Sequence, residues 1–204
     1  MSTQLFINAH IATGMPGSTA AETAAIQDIL VEDGKFISIA PHLKATLEAQ
    51  GKDMASVEVV DLGGKLVCPP FCDTHLHLDY VFTARKPGAV NESGTLFEGI
   101  QRWSETKADL TVDEIKERAK IGIAKEMRHG VQFIRSHADV TDPNLTSLKA
   151  LLELKEELKD TVTLQIVSFP QEGMYSYEGP HGESGADLVE EGLKTVSYTH
   201  LRAH

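Results

Sequence analysis

Along the first third of the chain, short apolar runs alternate with glycine-containing turns. Residues 5–11 (LFINAHI) read as one strand, and residues 29–31 and 36–39 flank Glu32-Asp33-Gly34-Lys35, whose Asp-Gly step is a hairpin signal. Residues 57–62 alternate apolar and polar positions until Gly63-Gly64 breaks the pattern. These pieces predict a small β unit with too few strands to close a core alone.

From Leu66 the periodicity lengthens. Thr111-Val112-Asp113-Glu114 has the spacing of a capping box, and apolar residues follow at Ile115, Ala119, Ile123 and Met127, with Gly130 placed to end the helix. Residues 131–139 (VQFIRSHAD) then read as a strand, Pro143 as the start of a second helix with Leu148, Leu151, Leu152 and Leu158 on one face, and residues 161–170 as a further strand. Strand and helix in alternation imply a parallel sheet. Polar groups recur at the strand carboxyl ends: His75 and His77, then His137 and Asp139, then Gln171. In a (β/α)8 barrel that end carries the active site. The predicted fold class is α/β: a partial (β/α)8 TIM barrel, about strands one to three, over residues 66–195, preceded by part of a small β-sandwich over residues 1–65.

Two imidazoles at i and i+2 follow the apolar Pro69-Pro70 run. In an extended strand such residues project to one face, so His75 and His77 aim at one point. Isolated histidines are more often solvated or hydrogen-bonded, but a converging pair at a strand end makes half of a metal site, and imidazole suits zinc or iron.

Composition narrows the partners. The 204 residues are 41% hydrophobic and 24% charged, with a formal net charge of -11. That acidity argues against nucleic acid or an anionic membrane, which need clustered Lys and Arg. It remains compatible with a small neutral or cationic substrate. No apolar run approaches the length of a bilayer span, and residues 1–4 lack the features of a signal peptide, so a cytoplasmic location is expected. The two cysteines, Cys68 and Cys72, read as small apolar fillers of a buried strand rather than as a disulfide framework.

Several blocks carry a family resemblance: residues 69–71 (PPF), 75–79 (HLHLD), 93–100 (SGTLFEGI) followed by 101–103 (QRW), and 169–173 (FPQEG). Together they resemble the amidohydrolase superfamily, and within it the bacterial cytosine deaminases. The HxH pair is general to the superfamily, whereas SGTLFEGI and FPQEG are far more specific. The resemblance implies one divalent metal ion, iron or zinc, with His75 and His77 among its ligands. It further implies that Gln171 reads the amide-like edge of a pyrimidine, a task suited to a group offering donor and acceptor together. Leu96 and Phe169 resemble apolar pocket residues near that ring. The implied reaction is hydrolytic deamination of cytosine or a related pyrimidine, giving the carbonyl product and ammonia. The partner is then a small nucleobase-like molecule, with a homo-oligomer of the full-length enzyme left open.

Within the resemblance, His137 and Asp139 are expected in supporting or barrel-wall positions, Trp103 as a packing anchor, residues 155–157 as a solvated helix face, and His181 at the surface. The acid–base glutamate, a further histidine and the ligand aspartate belong beyond strand three, so no catalytic residue is expected within this chain. Residues 196–204 depart from the family pattern and read like translated sequencing adapter, which implies a truncated gene and a polypeptide that folds poorly and is inactive alone. A metal role for His200 and His204 is disfavoured. Two alternatives stay open: an amidohydrolase for another ring amide or amine, of aminotriazine, creatinine or isoguanine type, and a non-catalytic barrel fragment.

Overall fold

Asp33 and Gly34 both adopt positive φ, 48° and 77°, as a two-residue type I′ hairpin requires. They join β2 (Ile26–Glu32) to β3 (Lys35–Ala40) in the computed structural model, which describes residues 2–11 and 25–195. β1 (Thr3–Ile11) lies beside β2 antiparallel and beside β4 (Val57–Asp61) parallel, giving the order β3-β2-β1-β4, with the short β5 (Leu66–Val67) pairing the end of β1. A helix that the periodicity did not announce, α1 (Leu43–Ala49), brings Leu43 onto Leu5, Leu30 and Val57. The other alternation of the same strands gathers Ala9, Ile29 and Val31. Among the described residues this unit holds one sheet, and a second, facing sheet is not among them.

The chain divides into two units, Met1–Pro69 and Pro70–His204. Leu66 and Val67 therefore sit in the first unit rather than opening the second, because their backbone pairs with His10 and Ile11. The tail 196–204, including His200 and His204, lies outside the described residues.

In the second unit, β6 (Phe71–Leu76), β7 (Val131–Asp139) and β8 (Thr163–Phe169) form a three-stranded sheet, parallel throughout, in that order. Between and after them run α2 (Leu96–Lys107), α3 (Val112–Arg128), α4 (Thr146–Glu157) and α5 (Gly185–Leu193). The capping box of α3 is formed: Thr111 Oγ1 accepts from Glu114 N at 3.2 Å and Glu114 Oε2 accepts from Thr111 N at 3.1 Å. Its stripe of Ile115, Ala119 and Ile123 is buried with Ile134, Leu148, Leu151, Leu164 and Ile166 in one core. Each such aliphatic side chain contributes roughly 1.5–3 kcal/mol on burial. α4 starts at Thr146, not at Pro143, because the Asp142 carboxylate accepts from Asn144 N and Thr146 N and holds residues 142–145 in a turn.

One expectation is corrected. β6 is an edge strand and largely exposed, with Phe71 61% accessible, and Cys68 and Cys72 are exposed free thiols, not buried fillers. Among the described residues no strand pairs the far side of β6, so its side chains lack the neighbours that would cover them. No helix among the described residues is long and apolar enough to cross a membrane.

Candidate active site at the strand carboxyl ends

Side-chain alternation divides the parallel sheet into two faces. Ile134, Ala138, Leu164 and Ile166 join the core with the helices, while the opposite face presents His137 from β7 and Phe169 from the end of β8. His75 and His77 converge on that second face. The His75 ring stacks on His137 with centroids 4.0 Å apart, and the His75 and His77 rings meet edge-on at 5.2 Å. Phe169 closes the cluster, 5.4 Å from the His77 ring and 5.7 Å from that of His137.

His77 is oriented by its backbone surroundings. Its Nδ1 lies 3.0 Å from the main-chain oxygen of His137. A carbonyl only accepts, so Nδ1 carries the proton and Nε2 keeps a lone pair, the state of a metal-ligating imidazole. Burial, and after it the neighbouring His75, pushes the His77 pKa down to about 4, which keeps the ring neutral. His75 and His77 thus suit two donor positions for a divalent metal. Among the described residues no group of three or more His, Cys, Asp or Glu side chains is arranged to hold one.

Tyr80 continues the site. Its ring stacks on His77 at 4.6 Å and tilts against Trp103 at 4.7 Å, so it spans from the imidazole cluster to the wall of a cavity of about 530 Å³. Leu96 and Gln171 line that cavity with Tyr80, Arg102 and Trp103. Leu96, 67% accessible, is a rim residue rather than a buried one. Burial and the carboxylates of Asp79 and Asp139 raise the Tyr80 pKa, so the phenol stays protonated.

Behind the cluster lies a buried carboxylate. Asp139, 1% accessible, accepts at Oδ2 from Trp103 Nε1 at 2.6 Å and from Lys107 Nζ at 3.0 Å. Its Oδ1 accepts from Thr141 N at 2.8 Å and from Gln171 N at 3.3 Å. Its own backbone N–H donates to Asp79 Oδ2 at 2.8 Å. Burial first, and the Asp139 charge with it, raises the Asp79 pKa to about 7, against the hydrogen bond from Asp139 N. Arg118 of α3 donates to the backbone oxygens of Asp79 and Val81 and so fixes the segment that follows the histidines.

Trp103 is therefore a hydrogen-bond donor as well as an anchor, and Asp139 a junction rather than barrel-wall packing alone. Tyr80 and Lys107 were not singled out in the sequence. Tyr80 follows directly on the HLHLD block, and Lys107 lies one helical turn beyond Trp103, which together form the available signal. His181 is exposed and residues 155–157 lie on an exposed helix face.

Residues 58–196 match the amidohydrolase family. The chain belongs to that family. The amidohydrolase chain is 30% identical over 159 residues to N-isopropylammelide isopropyl amidohydrolase of Pseudomonas sp. (strain ADP), a match covering 76% of this chain and 37% of the relative. It is 28% identical over 152 residues to pterin deaminase of Rhizobium rhizogenes, covering 72% of this chain and 32% of the relative. Among solved structures, 5-methylcytosine deaminase from Klebsiella pneumoniae with 5-fluorocytosine superposes with a TM-score of 0.75 at 38% identity, over 94% of this chain and 41% of that one. The chain thus spans less than half the length of these relatives.

Proposed function

We propose that this chain is the N-terminal part of a metal-dependent amidohydrolase that hydrolytically deaminates cytosine or a closely related pyrimidine. In this reading β6, β7 and β8 are the first three strands of a (β/α)8 barrel, and the first unit is part of a β-sandwich. The observation that carries the proposal is the continuity of the site: the His75 ring meets His77, His77 meets Phe169, and Tyr80 joins His77 to a cavity lined by Leu96 and Gln171. The likeness to 5-methylcytosine deaminase supports a pyrimidine over other ring amines.

His75 and His77 would hold the metal, iron or zinc, through ring nitrogens, with further ligands supplied by chain beyond strand three. When bound, such an ion lowers the pKa of a coordinated water toward neutrality. The residues of this chain act around it. Phe169 and Tyr80 cover part of the His77 ring and offer flat apolar surfaces to a planar ring. The Gln171 carboxamide can donate to a ring carbonyl or acceptor nitrogen and accept from an N–H.

The test is release of the exocyclic amine by the complete protein encoded by this gene, offered cytosine, 5-methylcytosine, N-isopropylammelide and pterin in parallel, with ammonia measured for all but N-isopropylammelide, whose hydrolysis releases isopropylamine. Cytosine-type turnover, lost in His77→Ala and on chelation of the metal, is the expected result. Preference for N-isopropylammelide would replace the pyrimidine with an aminotriazine, a reading favoured by the Pseudomonas relative. Absence of turnover together with absence of bound metal would overturn the enzyme reading.

A further inference from the structure

Lys107 is placed where a charge must have a reason. It ends α2, its side chain is only 11% accessible, and it reaches two carboxylates: Asp139 Oδ2 at 3.0 Å and Glu172 Oε1 at 2.5 Å. Its Nζ also donates to Thr141 Oγ1 at 2.8 Å. These partners come from the end of β7 and from the loop after β8, so one ammonium ties three segments of chain. The tie meets the site on both sides. Glu172 adjoins Gln171, and Asp139 accepts both the Gln171 N–H and the Trp103 indole N–H.

We propose that Lys107 is a positioning residue for substrate recognition: by bridging Asp139 and Glu172 it clamps the loop bearing Gln171 against α2 and so sets the Gln171 carboxamide in the cavity. The inference rests on the reading of Gln171 as the group that reads the substrate edge. The physical argument is connectivity. Gln171 is itself held by a single 3.3 Å backbone bond, and its neighbour Glu172 adds the second fixed point. A loop pinned at two adjacent residues keeps its side chain within the narrow tolerance that a bound ring demands. Burial opposes the ammonium, but the two carboxylates more than offset that, and the Lys107 pKa stands above its ordinary value. The clamp is therefore charged across the physiological range.

The single tryptophan of the chain makes this measurable without substrate. Hydrogen exchange in the ¹⁵N-labelled complete protein, free of substrate, is followed at the Gln171 backbone N–H and at the Trp103 indole N–H, with Ile115 and Ile123 of α3 as internal references. In Lys107→Met both reporters are expected to exchange about tenfold faster or more while the references hold, and Lys107→Arg is expected to keep the parental protection. Glu172→Gln, at a 24% accessible side chain, severs only the loop tether, so Gln171 loosens while the Trp103 indole stays protected. Unchanged protection of Gln171 in Lys107→Met and Glu172→Gln overturns the proposal. Equal acceleration at the α3 references also overturns it, since Lys107 would then support the fold as a whole. If Lys107→Met does not fold, Glu172→Gln decides alone. Because no substrate enters, failure here is distinguishable from failure of the deaminase reading.

Discussion

His77 Nδ1 faces the main-chain oxygen of His137 at 3.0 Å, and that one contact sets the chemistry of the ring. The carbonyl demands an N–H from Nδ1, so the lone pair is left on Nε2. The expected ¹⁵N spectrum of the complete protein in its metal-free form therefore has His77 as the Nδ1–H tautomer, and zinc addition shifts the Nε2 resonance first. An Nε2–H tautomer would remove His77 from the ligand set.

Trp103 and Asp139 form the buried half of the junction behind the site. The indole donates to a carboxylate that is 1% accessible, at 2.6 Å. Trp103→Phe keeps most of the ring but leaves one lone pair of Asp139 without its donor. The expected loss is about 1–3 kcal/mol of unfolding free energy in urea, the usual cost of leaving a buried charged acceptor short of a partner. A change within a few tenths of a kcal/mol would show that Lys107 and Thr141 satisfy Asp139 unaided.

The parts of the fold that were legible in the sequence are those written in local chemistry. The Asp33-Gly34 hairpin and the Thr111–Glu114 capping box each rest on adjacent residues with a stereochemical preference, and both stand where expected. β7 spans Val131–Asp139, the segment read as a strand, because its apolar run ends in a glycine turn on one side and a polar turn on the other. What was not legible depends on distant partners. α1 is short, and its burial comes from Leu5, Leu30 and Val57 rather than from its own periodicity. The apolar strand predicts a buried Cys72, yet its exposure follows from β6 having no second neighbouring strand among the described residues. For the site, the HxH spacing announced the converging imidazoles. The joining role of Tyr80 arises from stacking on Trp103, 23 residues on, and the junction at Asp139 from hydrogen bonds across more than thirty residues, which no local pattern encodes.

Glu98 gives the loop that leads into α2 a defined pH response. Hydrogen bonds from Ser93 first, then from the backbone of Glu92, hold its carboxyl down to about 2, below the ordinary 4.5. Between those values the unfolded chain binds more protons than the native one, so this contribution is present above pH 4.5 and is lost as pH falls toward 2. The Ser93 and Glu92 N–H groups, which donate to Glu98 at 2.6 and 3.1 Å, should stay protected from exchange until that range is reached. In Glu98→Gln their protection should be weaker and flat with pH. A wild-type loop that opens near pH 4.5 would show that Glu98 does not hold it.

Two glycines in helices of the second unit should respond oppositely to alanine. Gly122 lies inside α3, where an added Cβ would meet Leu78 Cδ2 and Val81 Cγ2 at 3.5 Å, an ordinary contact distance. With no clash, the helical preference for alanine remains, and Gly122→Ala should stabilise by up to about 1 kcal/mol. Gly185 opens α5 against the loop that follows Gln171. A Cβ there would overlap the Gly173 carbonyl oxygen, and would sit 3.0 Å from its carbon and 3.1 Å from Met174 Cα. These are backbone atoms and cannot rotate away, and Ala186 N donates to Met174 O at 2.9 Å across the same contact. Gly185→Ala should therefore destabilise by roughly 1–3 kcal/mol, as overpacking does, despite the better helix propensity. Urea unfolding of the two variants side by side checks both signs, and two stabilising alanines would mean that α5 does not pack against the Gly173 loop at this distance.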